Sequence, residues 1–150
     1  MKIKKAAAIA EIVSAIAVIV TLLYVGYEIR QNTAAVKSTV YQSIHDAEDL
    51  FWLSISTDAN LSTVWDVGMS GGLEALQPVQ RRQYVLTVRR LIYLYQNVNY
   101  QRRKGVVDDE LWNAWLASLD EHLGMRGFAE VLSDTKPHLS DPFVELLNSR

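Results

Sequence analysis

The chain has 150 residues, 49% of them hydrophobic, and a net charge of −2. That is enough for one domain with a real core, and the charge predicts no bulk attraction to nucleic acid or acidic lipid. With no cysteine, disulfides, thiolate nucleophiles and cysteine-ligated zinc are excluded.

From Ala6 to Tyr27 the only charge is Glu11. A helix of that stretch spans roughly 33 Å, close to the ~30 Å of a bilayer core. Lys2, Lys4 and Lys5 flank one end, and Tyr24, Tyr27 and Arg30 the other, the pattern of cationic and aromatic interface anchors. An uncleaved transmembrane helix is the favoured reading. A signal peptide is the second, but the small-x-small candidate Ala15-Ile16-Ala17 is followed by more apolar chain, VIVTLLYVGY. A buried core helix is the third. Glu11 is expected near the lipid interface, with a partner-facing carboxylate as the alternative. Ser14, Ala15, Ala17 and Gly26 permit close helix contact, although no GxxxG is present.

Past Tyr27 the residues Ile29, Thr33, Val36, Val40, Ile44, Ala47 and Phe51 recur at helical spacing. The period is nearer 3.6 than 3.5, which predicts packing on the chain's own later helices. The segment STDAN, residues 56–60, marks the first stop. The expected division is therefore 1–28, basic flank and transmembrane helix, and 29–150, soluble bundle. The membrane helix and the first bundle helix are expected to form one rod of about 70 Å.

NLSTVWDVG reads as a short helix capped by Asp58 or Asn60, and MSGGLEAL as a loop. A long helix follows, with Pro78 near its first turn, Gly105 past its end, and an inward stripe of Tyr84, Val88, Leu91, Tyr95 and Val98. Asp108, Asp109 and Glu110 suit the start of the next helix, which closes on Gly124. GFAEVLSD predicts a turn or two more, and Asp141-Pro142 opens a last short helix. The fold class is all-α: an N-terminal transmembrane helix continuous with the first helix of a small soluble bundle.

The run Leu23 to Thr33, LYVGYEIRQNT, with Tyr41-Gln42, NYQRRKG and DDELW, resembles the signature of a large group of small uncharacterised bacterial proteins. Their N-terminal apolar helix ends in a Y-V-x-x-Q-I-R-Q-N-T-like segment, and Glu28 stands here where that pattern has Gln. The resemblance implies a membrane-anchored helical protein of bacterial origin, and no known reaction, substrate or cofactor; the expected location is the bacterial cytoplasmic membrane, crossed once.

Little points to catalysis. The residues three before His45, His122 and His138 are Gln42, Leu119 and Thr135, so the Glu-x-x-His element of di-iron bundles is missing. His45 and Asp49, at i and i+4, read as a surface ion pair. Glu121 and His122 are adjacent and point to different faces. No metal site and no cofactor are expected.

The strongest polar signal lies between Pro78 and Lys104, where Arg81, Arg82, Arg89, Arg90, Arg102, Arg103 and Lys104 occur without an acid. Structural ion pairing, with Asp46, Glu48 and Asp49 available, is the first reading. Headgroup or partner contact by Arg89, Arg90, Arg102, Arg103 and Lys104 is the second. Nucleic acid is disfavoured, because Tyr84 and Tyr95 belong to the core stripe. Tyr95, Gln96 and Asn99 are candidates for polar packing or a ligand pocket. The four tryptophans, at 52, 65, 112 and 115, are expected mainly in the core, with Trp112 and Trp115 an alternative interface patch. The overall expectation is a non-enzymatic, self-associating membrane-anchored scaffold or accessory subunit, in contact with lipid and with copies of itself or a membrane complex. The alternative is a lipid- or small-ligand-sensing module.

Overall fold

A computed structural model describes the backbone of residues 2–150 and the side chains from residue 10 onward. Helix α1 runs Lys2–Ser56 without a break, so the expected continuity is present as secondary structure. The side chains of Lys2, Lys4 and Lys5 lie outside those described. Five further helices follow: α2 Ala59–Gly71, α3 Pro78–Arg103, α4 Asp109–Leu123, α5 Arg126–Thr135 and α6 Asp141–Asn148. No strand occurs among the described residues.

The ends of these helices follow local chemistry. The Asp58 carboxylate, rather than Asn60, caps α2 by accepting from the backbone N–H groups of Asn60 and Leu61 at 2.9 and 3.1 Å. Helix α2 extends through Met69 and Ser70 to Gly71, further than expected. Gly72, at φ 76°, then turns the chain into a short 3-10 segment at Leu73–Ala75. Pro78 opens α3, where its missing N–H costs nothing. Gly105, at φ 74°, lies just past its end. The Asp108 carboxylate accepts from the Leu111 N–H at 2.9 Å and caps α4.

Contacts divide the chain into two compact units, residues 1–39 and 40–150. The apolar-to-polar change in sequence falls earlier, near residue 28. In the first unit the large apolar side chains are open: Ile12, Ile16, Ile19, Leu22, Leu23 and Tyr27 are all more than half exposed. The stripe expected to pack from Ile29 onward begins later. Ile29, Thr33 and Val36 are exposed, Val40 is partly covered, and Ile44 and Phe51 are buried. Helical spacing fixes which residues share a face, not how far along the helix other elements reach.

In the second unit the core forms around α3. The stripe Tyr84, Val88, Leu91, Tyr95 and Val98 is buried as expected, joined by Ile92 and Asn99. Helix α5 adds Phe128 and Val131, and α6 adds Phe143. Helices α2, α3 and α5 meet closely at Gly68, Tyr84 and Gly127. Trp65 and Trp115 are buried and Trp112 is half-buried, but Trp52 is 39% exposed, which corrects its expected place in the core.

Candidate functional site

Three helix faces converge within the second unit to form a cleft of about 290 Å³. Helix α1 supplies Glu48, Phe51 and Trp52, α3 supplies Leu91, Leu94 and Tyr95, and α4 supplies Leu111, Ala114, Trp115 and Ser118. Each set has i, i+3 or i+4 spacing, so each lies on one side of its own helix. Phe51 and Trp52 meet edge to face with ring centres 5.0 Å apart and planes at 78°. Tyr95 and Trp115 do the same at 5.3 Å and 82°. Glu48 is the one charged residue in the lining.

Behind the cleft, the Tyr95 hydroxyl lies 3.0 Å from Nδ1 of His122, which lies 2.6 Å from the Ser118 carbonyl oxygen. A carbonyl only accepts, so the shorter contact puts the proton on Nδ1 and makes the Tyr95 oxygen a second acceptor. His122 is 6% exposed, while its neighbour Glu121 points outward, as their adjacency predicts. Burial is the main cause that pushes the Tyr95 phenol up to about 12. A hydrogen bond with the Ser118 side chain opposes the shift, and the carboxylates of Glu48 and Glu121 add to it.

Tyr95 therefore lines the cleft, but the residues expected beside it do not. The Gln96 side-chain oxygen accepts from the Ser140 N–H at 2.7 Å, tying α3 to the segment before α6. Asn99 is buried one turn beyond Tyr95, outside the cleft lining, and Asn97 is exposed.

The basic residues of α3 separate into different roles. Arg102 is held by its own loop: it donates to the Val107 carbonyl at 3.1 Å and pairs with Asp109. The Arg81 Nε donates to the Leu73 carbonyl at 2.9 Å. Arg89 is half-buried, and its Nε has no hydrogen-bond partner. Arg90, Arg103 and Lys104 are exposed, and the Lys104 ammonium sits over the Tyr100 ring at 5.4 Å. Among the described residues, no α3 arginine pairs with Asp46, Glu48 or Asp49; Asp49 lies 3.7 Å from His45, both well exposed, as expected of a surface pair.

A second feature of α3 is its outer face. Val79, Leu86, Tyr93 and Tyr100 recur every seven residues and are 81%, 58%, 45% and 50% exposed. Arg82, Arg90 and Lys104 share that side by helical spacing and are also exposed. This is an apolar stripe set in positive charge, opposite the core stripe.

In the first unit Glu11, Tyr24, Gly26, Tyr27 and Arg30 are all exposed. The Tyr24 hydroxyl donates to the Glu28 carboxylate at 2.7 Å. Among the described residues no cluster of three or more His, Cys, Asp or Glu side chains is arranged to hold a metal ion.

The cleft's polar and aromatic partners went unseen in sequence because they come from three separate helices. Each helix alone shows only a face of ordinary core spacing, and nothing local tells which faces meet. No protein family, no curated protein and no solved structure matches this chain.

Proposed function

We propose that this protein is a single-pass membrane-anchored scaffold or accessory subunit whose helical domain associates with further copies of itself. The observation that carries the anchor is the uncovered surface of α1. Its most apolar window has a mean hydropathy of 2.1, and none of that window is buried. Burying apolar surface is worth roughly 25 cal/mol per Å², so leaving every side of such a helix in water is strongly unfavourable. Lipid removes that cost, and the intrahelical hydrogen bonds satisfy the backbone within it. Tyr24, Tyr27 and Arg30 suit the exit from the hydrocarbon, and Glu11 lies about one turn inside the opposite boundary.

The resemblance in residues 23–33 points to the bacterial cytoplasmic membrane. Three lysines before the helix, against Arg30 and Lys37 in the stretch after it, favour the N-terminus inside and the bundle outside the cytoplasm. In the test, the full chain stays in the membrane pellet after alkaline extraction, and a chain lacking residues 2–28 moves to the soluble fraction. A purified protein whose mass begins after Ala17 would make the segment a cleaved leader instead. C-terminal reporters active only in the cytoplasm would reverse the orientation.

Self-association rests on the outer face of α3. Its apolar residues alternate with Arg82 and Arg90, and it fits an apolar face bearing acids. Such a face exists on α1, where Asp46, Asp49, Leu50 and Leu53 are exposed. Two different faces meeting between copies form a heterologous contact.

The cleft favours a second reading, a ligand-sensing module at the membrane surface. Its volume stands at the lower edge of the roughly 300–1,000 Å³ usual for small-molecule sites. Thermal shift against small metabolites and lipids tests it: a rise in Tm that variants of the cleft abolish supports the reading, and no shift with intact oligomers returns the weight to the scaffold.

A further inference from the structure

We propose that the cleft between α1, α3 and α4 binds a quaternary or N-methylated ammonium group through Trp52, Tyr95, Trp115 and the carboxylate of Glu48. This inference rests on the ligand-binding reading above and names its ligand class. Aromatic faces carry partial negative charge and attract cations within about 6 Å of the ring centre, most strongly when water is excluded. Here two edge-to-face pairs, Phe51 with Trp52 and Tyr95 with Trp115, hold rings nearly perpendicular to one another. Such pairs set aromatic rings at different angles around the cavity, an arrangement that suits a rounded cation better than a flat ligand.

The charge of the lining agrees. Glu48 is its one ionised residue, and no Lys, Arg or His contributes to it. An anionic ligand would therefore meet a carboxylate with nothing to offset it. A neutral apolar ligand would leave the half-buried Glu48 facing hydrocarbon, which is costly. A small alkylated ammonium satisfies both parts: its methyl groups fill the apolar space between Leu91, Leu94 and Leu111, and its charge pairs with Glu48. A primary ammonium is more strongly hydrated and needs several hydrogen-bond acceptors, for which the cleft has few groups besides Glu48 and the Ser118 hydroxyl.

The same headgroup occurs on free choline-like solutes and on choline lipids, and the experiment separates them. Full-length protein in a maltoside detergent is titrated with tetramethylammonium and with choline while tryptophan fluorescence is followed. Saturable quenching is expected, with the uncharged tert-butyl analogue of choline binding at least about tenfold more weakly. Trp52→Leu, at a partly exposed position, should weaken binding about tenfold, and Glu48→Gln about threefold or more, with unchanged helix content by circular dichroism. Protein reconstituted into phosphatidylglycerol vesicles with and without phosphatidylcholine forms the second arm. Competition of free choline by phosphatidylcholine vesicles assigns a lipid headgroup, and saturable choline binding without such competition assigns a soluble ligand. Absence of saturable binding in both arms, or equal binding of the uncharged analogue, overturns the proposal. If an unrelated metabolite raises the Tm through the cleft while every ammonium fails, the ligand class is wrong and the ligand-sensing reading stands.

Discussion

Gly68 of α2 and Gly127 of α5 approach so closely that a Cβ on Gly127 would overlap the Gly68 carbonyl oxygen, with the Tyr84 hydroxyl 2.6 Å away. A Cβ on Gly68 would in turn run into the Tyr84 ring. The Tyr84 hydroxyl donates to the Met69 sulfur at 3.1 Å, and burial, together with the charge of Glu130, holds this phenol well above its ordinary range. The two glycines therefore let α2 and α5 close over a fully buried tyrosine. Gly127→Ala has to push against backbone, which cannot rotate away, and should cost roughly 1–3 kcal/mol or more. Gly26, with nothing within 4 Å of its Cβ position, is the control: Gly26→Ala should leave the thermal midpoint of the bundle unchanged in a melt followed by near-UV circular dichroism.

The Tyr95–His122 contact makes a second prediction. Tyr95→Phe removes one buried acceptor from the Nδ1 proton while the Ser118 carbonyl keeps the other, so the loss should be modest, about 1 kcal/mol in urea unfolding. The intact phenol ionises near pH 10 when unfolded and is pushed up to about 12 when folded. A raised phenol binds its proton longer in the native state, so its contribution is fully present below pH 10. It is lost as pH rises toward 12. Spectrophotometric titration should show Tyr95 as a late-ionising tyrosine that Tyr95→Phe deletes; an unchanged titration curve would contradict this.

Glu130 ties α5 to the Leu73–Ala75 segment. One of its oxygens accepts from the Leu73 N–H at 2.7 Å, and the other from Arg126 Nε at 3.0 Å. Arg126 also reaches Glu74 at 2.8 Å. The backbone hydrogen bond from Leu73 is the main cause that lowers the Glu130 carboxyl, with Arg126 adding to it. A lowered carboxyl stabilises the native state above the ordinary carboxylate value near 4.5, and the contribution disappears as pH falls through the lowered value. Glu130→Gln should flatten the acid side of the stability profile and cost about 1 kcal/mol at neutral pH, given the partial exposure of the group.

The outer face of α3 yields a prediction that separates folding from assembly. Leu86 and Tyr93 touch solvent over roughly half of their surface, so Leu86→Glu with Tyr93→Glu should leave the fold intact. Association driven by that face should weaken at least tenfold by sedimentation velocity in detergent. Charge reversal at Arg82 and Arg90 should weaken it further at low salt, because the contact proposed for them is with Asp46 and Asp49. An oligomer unaffected by all four changes would place the interface elsewhere, and a wild-type chain that is strictly monomeric would remove self-association from the proposed function.

Local features are legible in the sequence. The stripe Tyr84, Val88, Leu91, Tyr95 and Val98 is buried as its spacing required, and Asp108, Gly105 and Pro78 mark helix ends because capping chemistry involves only near neighbours. What spacing could not reveal was the extent of contact. Ile29, Thr33 and Val36 continue the same stripe as Ile44 and Phe51 yet stay exposed, and Trp52 lies partly open although its residue type suggests the core. Arg102 is a comparable case: its partner Asp109 lies close in sequence, but the turn at Gly105 is what brings them together.

The sequence by itself determined the number and order of the main helices, which side of α3 faces inward, and that the first half of α1 is almost wholly apolar, because these depend on spacing, turn chemistry and composition. Only the tertiary structure decided that Glu48, Tyr95 and Trp115 share one cleft, that His122 is buried against Tyr95, and that Gly68 and Gly127 are close-packing positions. Those relationships join residues far apart in the chain. They arise from the order in which helices pack, which no local periodicity encodes.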